Sequence, residues 1–470
     1  MSARVELTAA SVAAAMSGAL LSGSPSAPIG DVSIDSRTLG PGSLFVAILG
    51  ERFDGHRFVG AALGSGACGV VVSELSAVPP AATQTAIVIH VADTTRALQA
   101  LSQSVRRRSG AKVVAVTGSA GKTTTKEVAA ELLATRYRVF RTKGNFNNHI
   151  GLPLSLLELR DGPDIAVVEL GMSHAGEIRM LVGLAEPDVR VWTNVAEVHA
   201  AYFSSIDAIA DAKAEILDGA TSDTVVVANA ADARVMVRVR GCAARIVTFG
   251  VEVDADVSAS GVVDAGIGGT TATVSTPAGR AEFRVPLVGR GHLSNVLAAT
   301  AVALQFGVPI EDIAARVSGL TPAPRRGEVW RLRDDVVLVD DSYNSNPVAL
   351  ERMLDVLGAS DLARRRVAVL GEMLELGAQS VAWHQACGAA AARAGVSVLV
   401  AVGGLAARAM ATAATEAGMD PAAVLHVETS EEAAAHVAHL LRAGDIVLVK
   451  GSRAIRTDLV ADRVKAERAS

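Results

Sequence analysis

Between Gly118 and Thr123 the chain reads Gly-Ser-Ala-Gly-Lys-Thr, and this run holds the residue types that bind a polyphosphate. Glycine permits a tight turn and the close approach of an anion. The N–H groups of Ser119 and Ala120 and their neighbours then point into one concavity, at the start of a helix whose N-terminus favours negative charge. Lys122 supplies a cation for the β- and γ-phosphates, and the hydroxyl of Thr123, followed by Thr124, can bind Mg²⁺. The residue five before Gly121 is Val116 rather than glycine, so the loop is shorter than the usual phosphate-loop spacing. A ligand-free turn is the alternative, and Gly-Lys-Thr-Thr where an apolar strand meets a helix argues against it. The expected ligand is ATP.

Other polar residues stand where apolar runs end. Glu169 closes "IAVVEL" and His199 follows "VWTNVAEV". Carboxylate, imidazole and the loop hydroxyl together suit a divalent-metal site completed by ATP oxygens. Asn295, in "GRGHLSNVLAATAVAL", is either an adenine contact or a helix cap. "VDDSYNSNP" gathers Asp340, Asp341, Asn344 and Asn346 before Pro347, while "LGEMLELG" and "LVKGSR" end in Glu372, Lys450, Ser452 and Arg453. Lys213 lies in the amphipathic "SSIDAIADAKAEIL", where local pattern alone makes it a solvent-facing lysine.

The elements that must position these groups alternate. "VVAVTG", "IAVVEL", "VRVWTNV" and "TVVVAN" are short apolar runs separated by helical patterns, as in a parallel sheet with crossover helices. Residues 253–286 alternate with period two and predict β-hairpins appended to that sheet. "DVVLVDD", "RRVAVLG", "VSVLVAVG" and "DIVLVKG" predict a second open α/β sheet, with ligands expected at strand C-terminal ends. The reading is α/β in three domains: residues 1–105, a small α/β domain; 106–322, a phosphate-loop parallel-sheet domain; and 323–470, a Rossmann-like domain. Thr8 is a candidate N-cap for a first helix in "TAASVAAAMSGALL".

With 470 residues, half of them hydrophobic, and 20% charged, the chain is globular. A net charge of −5 and only short basic clusters, Arg106–Arg108 and Arg364–Arg366, argue against nucleic acid. Three widely spaced cysteines read as reduced thiols, and no apolar run reaches membrane-spanning length. The expectation is a cytoplasmic protein with no membrane insertion, acting as a monomer.

Taken together, "TGSAGKTTT", "GNFNNHIGLPLSLL", "DDSYNSNP" and "GEMLELG" resemble the Mur ligases, the ATP-dependent amide-forming enzymes of peptidoglycan synthesis. Within that family they are most similar to the type that joins D-alanyl-D-alanine to UDP-N-acetylmuramoyl-tripeptide. The "DNPR" segment of the relatives that add meso-diaminopimelate is absent. The resemblance implies ATP and Mg²⁺ as cofactors, with the tripeptide nucleotide and D-Ala-D-Ala as partners. It implies that Ser36 and Arg37 hold the UDP-sugar end, that Asn145, Asn147 and Asn148 border the phosphates, and that Glu169 and His199 are metal ligands. Asn295 and Arg326 would contact adenine and phosphate, and Asp341 the ribose. Asn344, Asn346, Lys450 and Ser452 are candidate substrate contacts. Lys213 matches a lysine that the family carbamylates, a role opposite to its local reading. With Lys122 and His199 it completes the candidate catalytic set. After His199 the chain departs from the family's Leu-Glu-Gly-like continuation with Ala200-Ala201-Tyr202-Phe203, which puts contacts to the peptide in question. A folylpolyglutamate or cyanophycin synthetase-like ligase, and an ATP-binding switch that makes no amide, are the competing readings.

Overall fold

The structure, a computed structural model, describes residues 4–50, 53–196, 202–360 and 365–469. His199, Ala200, Ala201 and Arg364 therefore lie outside the described residues. The chain divides into two compact units. One comprises residues 1–117, 136–190 and 218–224, and the other residues 118–135, 191–217 and 225–470.

The first unit opens with the helix Ala9–Ala15, and Thr8 caps it as its sequence implies. Thr8 Oγ1 accepts the Ser11 N–H, and Ser11 Oγ accepts the Thr8 N–H. Five short strands follow: β1 (Ala19–Ser22), β2 (Val32–Ser33), β3 (Leu44–Val46), β4 (Gly69–Val72) and β5 (Ile87–His90). They form a sheet in the order β1-β5-β4-β3-β2, parallel except for β1 against β5. Phe45, Val70, Val72 and Val88 bury one face of it against Val59 and Ala62 of the next helix. The helix Thr94–Ser109 carries residue 105 in its interior and ends at Gly110, whose φ of +66° only glycine adopts cheaply. Of its terminal arginines, Arg107 and Arg108 are exposed as expected. Arg106 is buried and donates to the carbonyls of Ala111, Ala185 and Glu186. Beyond it, β6 (Lys112–Thr117), β7 (Val139–Arg141) and β8 (Ile165–Glu169) pair in parallel, β8 between the other two. The division between the units falls within β9 (Val189–Trp192).

In the second unit β10 (Val225–Asn229), β11 (Arg245–Val251) and β12 (Val257–Asp264) are parallel neighbours. β13 (Thr270–Thr276) and β14 (Gly279–Val285) add antiparallel hairpins, as the period-two alternation predicts. The last sheet contains β15 (Glu328–Arg331), β16 (Val337–Asp341), β17 (Arg365–Gly371), β18 (Val398–Val402), β19 (Val424–Val427) and β20 (Asp445–Lys450). Its order is β15-β16-β20-β17-β18-β19, with all but β15 parallel.

Alternation along a strand sends side chains to opposite faces, and this last sheet is buried on both. Val337, Val339, Ala368, Leu370, Leu399 and Leu448 pack into one core, while Leu338, Val367, Val369, Val400, Val447 and Val449 pack into the other. Buried strands of this kind carry their polar residues at their ends, as Arg365 and Asp445 show at the N-terminal ends of β17 and β20. Asp341 and Lys450 are the last residues of β16 and β20 and sit opposite one another in register.

Candidate active site

In the second unit the helix Lys122–Leu133 begins directly after the glycine turn, with Gly121 at its N-cap and no side chain capping it. The N-terminus of this helix favours negative charge, so the turn suits an anion. Both glycines are required by space as well as by backbone angle. Gly118 has φ +147°, and a Cβ there would lie 1.9 Å from Thr193 Oγ1. Gly121 has φ +81°, and a Cβ there would lie 2.2 Å from Asn295 Oδ1.

The segment after β9 clamps the turn. Thr193 Oγ1 and Asn194 Nδ2 donate to the Ala120 carbonyl at 2.7 and 3.1 Å, and Asn194 Oδ1 accepts the Ala120 N–H at 2.9 Å. Ser119 Oγ accepts the Ala196 N–H at 2.8 Å. Thr193 and Asn194 were not singled out from sequence, although a Thr-Asn pair at a strand end is a usable signal. Asn295 is inside the helix Gly291–Gln305, so it is not a cap. Its Oδ1 accepts from Thr125 Oγ1 at 3.3 Å, on the helix that follows the turn.

Lys213 overturns its local reading. It sits near the end of the helix Ile206–Ala214, only 2% exposed, and Nζ donates to the Gly118 carbonyl at 3.2 Å. Lys122 Nζ donates to that same carbonyl at 2.9 Å. Burial, and then the charge of Lys122, push the Lys213 pKa well below the ordinary lysine range. Of the two amines on one carbonyl, Lys213 is therefore the one that loses its proton more readily, and an amine without that proton is a nucleophile.

A cleft beside the turn is lined by Thr124, Glu127, Val128, Leu287, His292, residues 320–323 and Arg326. His292 is half-buried, its pKa lowered chiefly by desolvation, and its buried Nδ1 has no hydrogen-bond partner among the described residues. A slot with an imidazole in its wall beside apolar residues suits a heteroaromatic ring carrying polar edges.

At the end of β16, Asp341 Oδ2 accepts from Lys450 Nζ at 2.5 Å, and Lys450 also donates to the Asn344 carbonyl at 2.9 Å. Asn346 Oδ1 accepts the Ala349 N–H and so caps the helix Pro347–Gly358. Ser452 Oγ accepts the Leu374 N–H, and the Glu372 carboxylate accepts the N–H groups of Ala406 and Ala407. Asp340, fully buried, is held by Ser342 and Lys465. Much of the polar density that marks these strand ends thus builds the loops. Arg326 stacks over Tyr343, with its guanidinium carbon 4.1 Å from the ring centroid.

In the first unit Glu169, at the end of β8, is 3% exposed and accepts from Asn147 Nδ2 at 2.9 Å. Asn148 Oδ1 accepts the N–H groups of Ile150 and Gly151, and Asn145 is exposed, its carbonyl accepting the Asn147 N–H. Arg37 is exposed and bonded to Asp35, and that bond holds the Asp35 carboxyl down at about 2. Ser36, beside it, is half-buried. Among the described residues no three His, Cys, Asp or Glu cluster in a way that could hold a metal ion. No helix there is long and apolar enough to cross a membrane.

Parallel sheets, a glycine turn opening a helix, and a buried lysine on the turn's carbonyl define a phosphate-loop α/β enzyme. Three family models match the chain: the Mur ligase family catalytic domain over residues 28–106, the Mur ligase middle domain over 116–303, and the Mur ligase glutamate ligase domain over 325–453. The UDP-N-acetylmuramoyl-tripeptide–D-alanyl-D-alanine ligase of Bacillus subtilis is 33% identical over 93% of each chain. The crystal structure of MurF from Acinetobacter baumannii superposes with a TM-score of 0.87 at 30% identity, covering 98% of this chain and 99% of that one. The MurF ligase of Thermotoga maritima in complex with ADP gives 0.79 at 28% identity, over 93% and 97%. The chain belongs to the Mur ligase family.

Proposed function

We propose that this chain is an ATP-dependent ligase that joins D-alanyl-D-alanine to UDP-N-acetylmuramoyl-tripeptide, giving the pentapeptide with release of ADP and phosphate. The observation that carries the reading is the pair of lysines on the Gly118 carbonyl of the glycine turn, Lys122 at the start of its helix and Lys213 buried. The identity to D-alanyl-D-alanine ligases along nearly the whole chain selects the substrates over those of a folylpolyglutamate synthetase-like enzyme.

A carboxylate is a poor electrophile, so the tripeptide carboxylate first attacks the γ-phosphorus. The bond to the β–γ bridging oxygen breaks, ADP departs and an acyl phosphate forms. The dipeptide amine then adds to the acyl carbon, loses its proton, and the tetrahedral intermediate expels phosphate. In the first step Lys122, the N-terminus of the helix Lys122–Leu133 and Arg326 stabilise charge spread over the transferring phosphoryl group. Adenine occupies the slot beside His292 and Asn295, and Asp341 bonds the ribose. Ser36, Arg37, Asn145, Asn147 and Asn148 serve the UDP-sugar end, and Asn344, Asn346, Lys450 and Ser452 shape the loops on the peptide side.

Once deprotonated, Lys213 reacts as a neutral amine with CO₂, forming an N–C bond and releasing one proton, which leaves an anion where an ammonium would otherwise stand. Thr123, Glu169, His199 and this carbamate are the proposed Mg²⁺ donors. The bound ion would offset negative charge on the phosphates. The divisions at residues 105 and 322 are kept as the functional ones.

The test is an ATPase assay over a panel of UDP-MurNAc-peptides and D-dipeptides, with mass spectrometry of the products. Pentapeptide nucleotide formed only with ATP supports the reading. ATP hydrolysis with no amide product, whichever amine is supplied, refutes it.

A further inference from the structure

The segment that clamps the glycine turn is itself held from the end of β10. Asn229, the buried last residue of that strand, donates from Nδ2 to the Thr193 carbonyl at 2.8 Å, and its Oδ1 accepts the Ala231 N–H at 3.0 Å. Three residues on, Asp232 Oδ2 accepts the Val195 N–H at 2.7 Å. Its Oδ1 accepts the N–H groups of Arg234 and Val235 at 3.0 and 3.3 Å, capping the helix Ala233–Val239. On the turn's side, the Asn194 carbonyl accepts the Ser119 N–H at 3.0 Å, and Ser119 Oγ donates back to the Ala196 carbonyl at 3.1 Å. Every residue from Thr193 to Ala196 thus bonds the turn, the end of β10, or both. A helix cap needs one side-chain oxygen, and Asp232 uses two. The second reaches a backbone N–H 37 positions earlier in the chain, and its charge makes that bond stronger than a neutral one.

We propose that Asp232 is a positioning residue for nucleotide binding, holding through its second oxygen the segment Thr193–Ala196 that shapes the phosphate turn. The inference rests on the reading of that turn as the ATP site. Asp232 acts through Val195: with that N–H fixed, Asn194 meets Ala120 on one side of it and Ala196 meets Ser119 on the other. Asn229 fixes the near end of the same segment at Thr193. Released at Val195, the segment is tied to β10 at Thr193 alone, and nucleotide binding must then order it as well as the ligand. A turn already held in shape is spared that cost.

The test separates the helix cap from the tie to Val195, using the full-length chain. Asp232→Ser keeps a good capping oxygen but has no second one, and Asp232→Asn caps while turning an N–H towards the Val195 N–H. Asp232→Ala loses both functions. Thermal melts read the cap, and calorimetric titration with ADP in the absence of Mg²⁺ reads the turn. The serine and asparagine variants should melt closer to wild type than Asp232→Ala does. Both should nevertheless bind ADP about 10–100-fold more weakly than wild type, the worth of one hydrogen bond to a carboxylate. In a Ser119→Ala background, where Ala196 has lost its partner on the turn, Asp232→Ser should weaken ADP by no more than about threefold further. Serine and asparagine variants that bind ADP within about twofold of wild type overturn the proposal, because Asp232 is then only a cap. Full additivity with Ser119→Ala overturns it too. Failure of the ATP reading is seen separately, as wild type that binds no ADP.

Discussion

Replacing Gly121 with alanine tests whether the turn works as a phosphate loop through its left-handed backbone. At φ +81° an L-residue pays about 1–2 kcal/mol for the left-handed conformation. The new Cβ would also sit 2.2 Å from Asn295 Oδ1, so the amide must swing away. That removes the acceptor of Thr125 Oγ1, a further loss of about 0.5–1.5 kcal/mol. The two together come to about 1.5–3.5 kcal/mol, or roughly 10–400-fold in kcat/KM for ATP if the loop must hold this shape around the phosphates. Coupling to Asn295 gives a sharper measure. In an Asn295→Ala background the steric part vanishes, so adding Gly121→Ala should cost only the backbone share. Gly307→Ala is the control, because φ is +71° there and nothing lies within 4 Å, so stability falls but ATP kinetics do not change. Steady-state ATP titrations and thermal melts read both effects. If Gly121→Ala keeps kcat/KM for ATP within about threefold of wild type, the glycine geometry is not what holds the nucleotide.

Lys122→Ala should leave the melting transition in place and lower the ligation rate by ~10²–10³, the usual cost of one transition-state charge contact. Turnover within about threefold of wild type removes Lys122 from the chemistry. Lys213→Arg should be inactive, since it keeps the cation and forms no stable carbamate. Lys213→Ala should lose activity and regain part of it with added short carboxylic acids, and wild type depleted of CO₂ should recover with bicarbonate. Full activity of Lys213→Arg would rule the carbamate out. Cys387 is buried and desolvation pushes its thiol up to about 12, so at pH 8 only about 10⁻⁴ of it is thiolate. Iodoacetamide should therefore modify Cys387 only after unfolding, and labelling of the native enzyme at Cys387 as fast as at the half-exposed Cys242 would contradict the packing around it.

Buried strands were legible in the sequence because continuous apolar runs mark strands covered on both faces. "IAVVEL", "DVVLVDD" and "DIVLVKG" became β8, β16 and β20, each buried along almost its whole length. Of the strands that went unread, β7, β15 and β19 are largely half-exposed, and no apolar run sets them apart from the loops around them, while β3 and β5 are buried but only three and four residues long. The phosphate loop was legible because it is local, its glycines and Lys122 doing their work within six residues. Lys213 was not, because its burial comes from chain far away in sequence while its own helix is short and amphipathic. Only a resemblance to relatives pointed the other way.

The strand-end polar clusters show the same limit from the other side. Residue type says which side chains can bind a substrate, but not which have already been consumed. Asn346 is consumed by a helix end, Ser452 by the Leu374 amide, Glu372 by the amides of Ala406 and Ala407, and Lys450 by Asp341. Each of these bonds joins groups that the fold, not the sequence, brings together, and each fixes the loop from which a remaining side chain projects. In "DDSYNSNP" and "KGSR" the side chains left over among the described residues are Asn344, Ser345 with its buried Oγ, Tyr343, whose ring packs on Arg326, and Arg453, a cation without an acid. A loop with most of its polar groups tied down holds the remaining ones in fixed places, and a binding site needs its contacts held in that way.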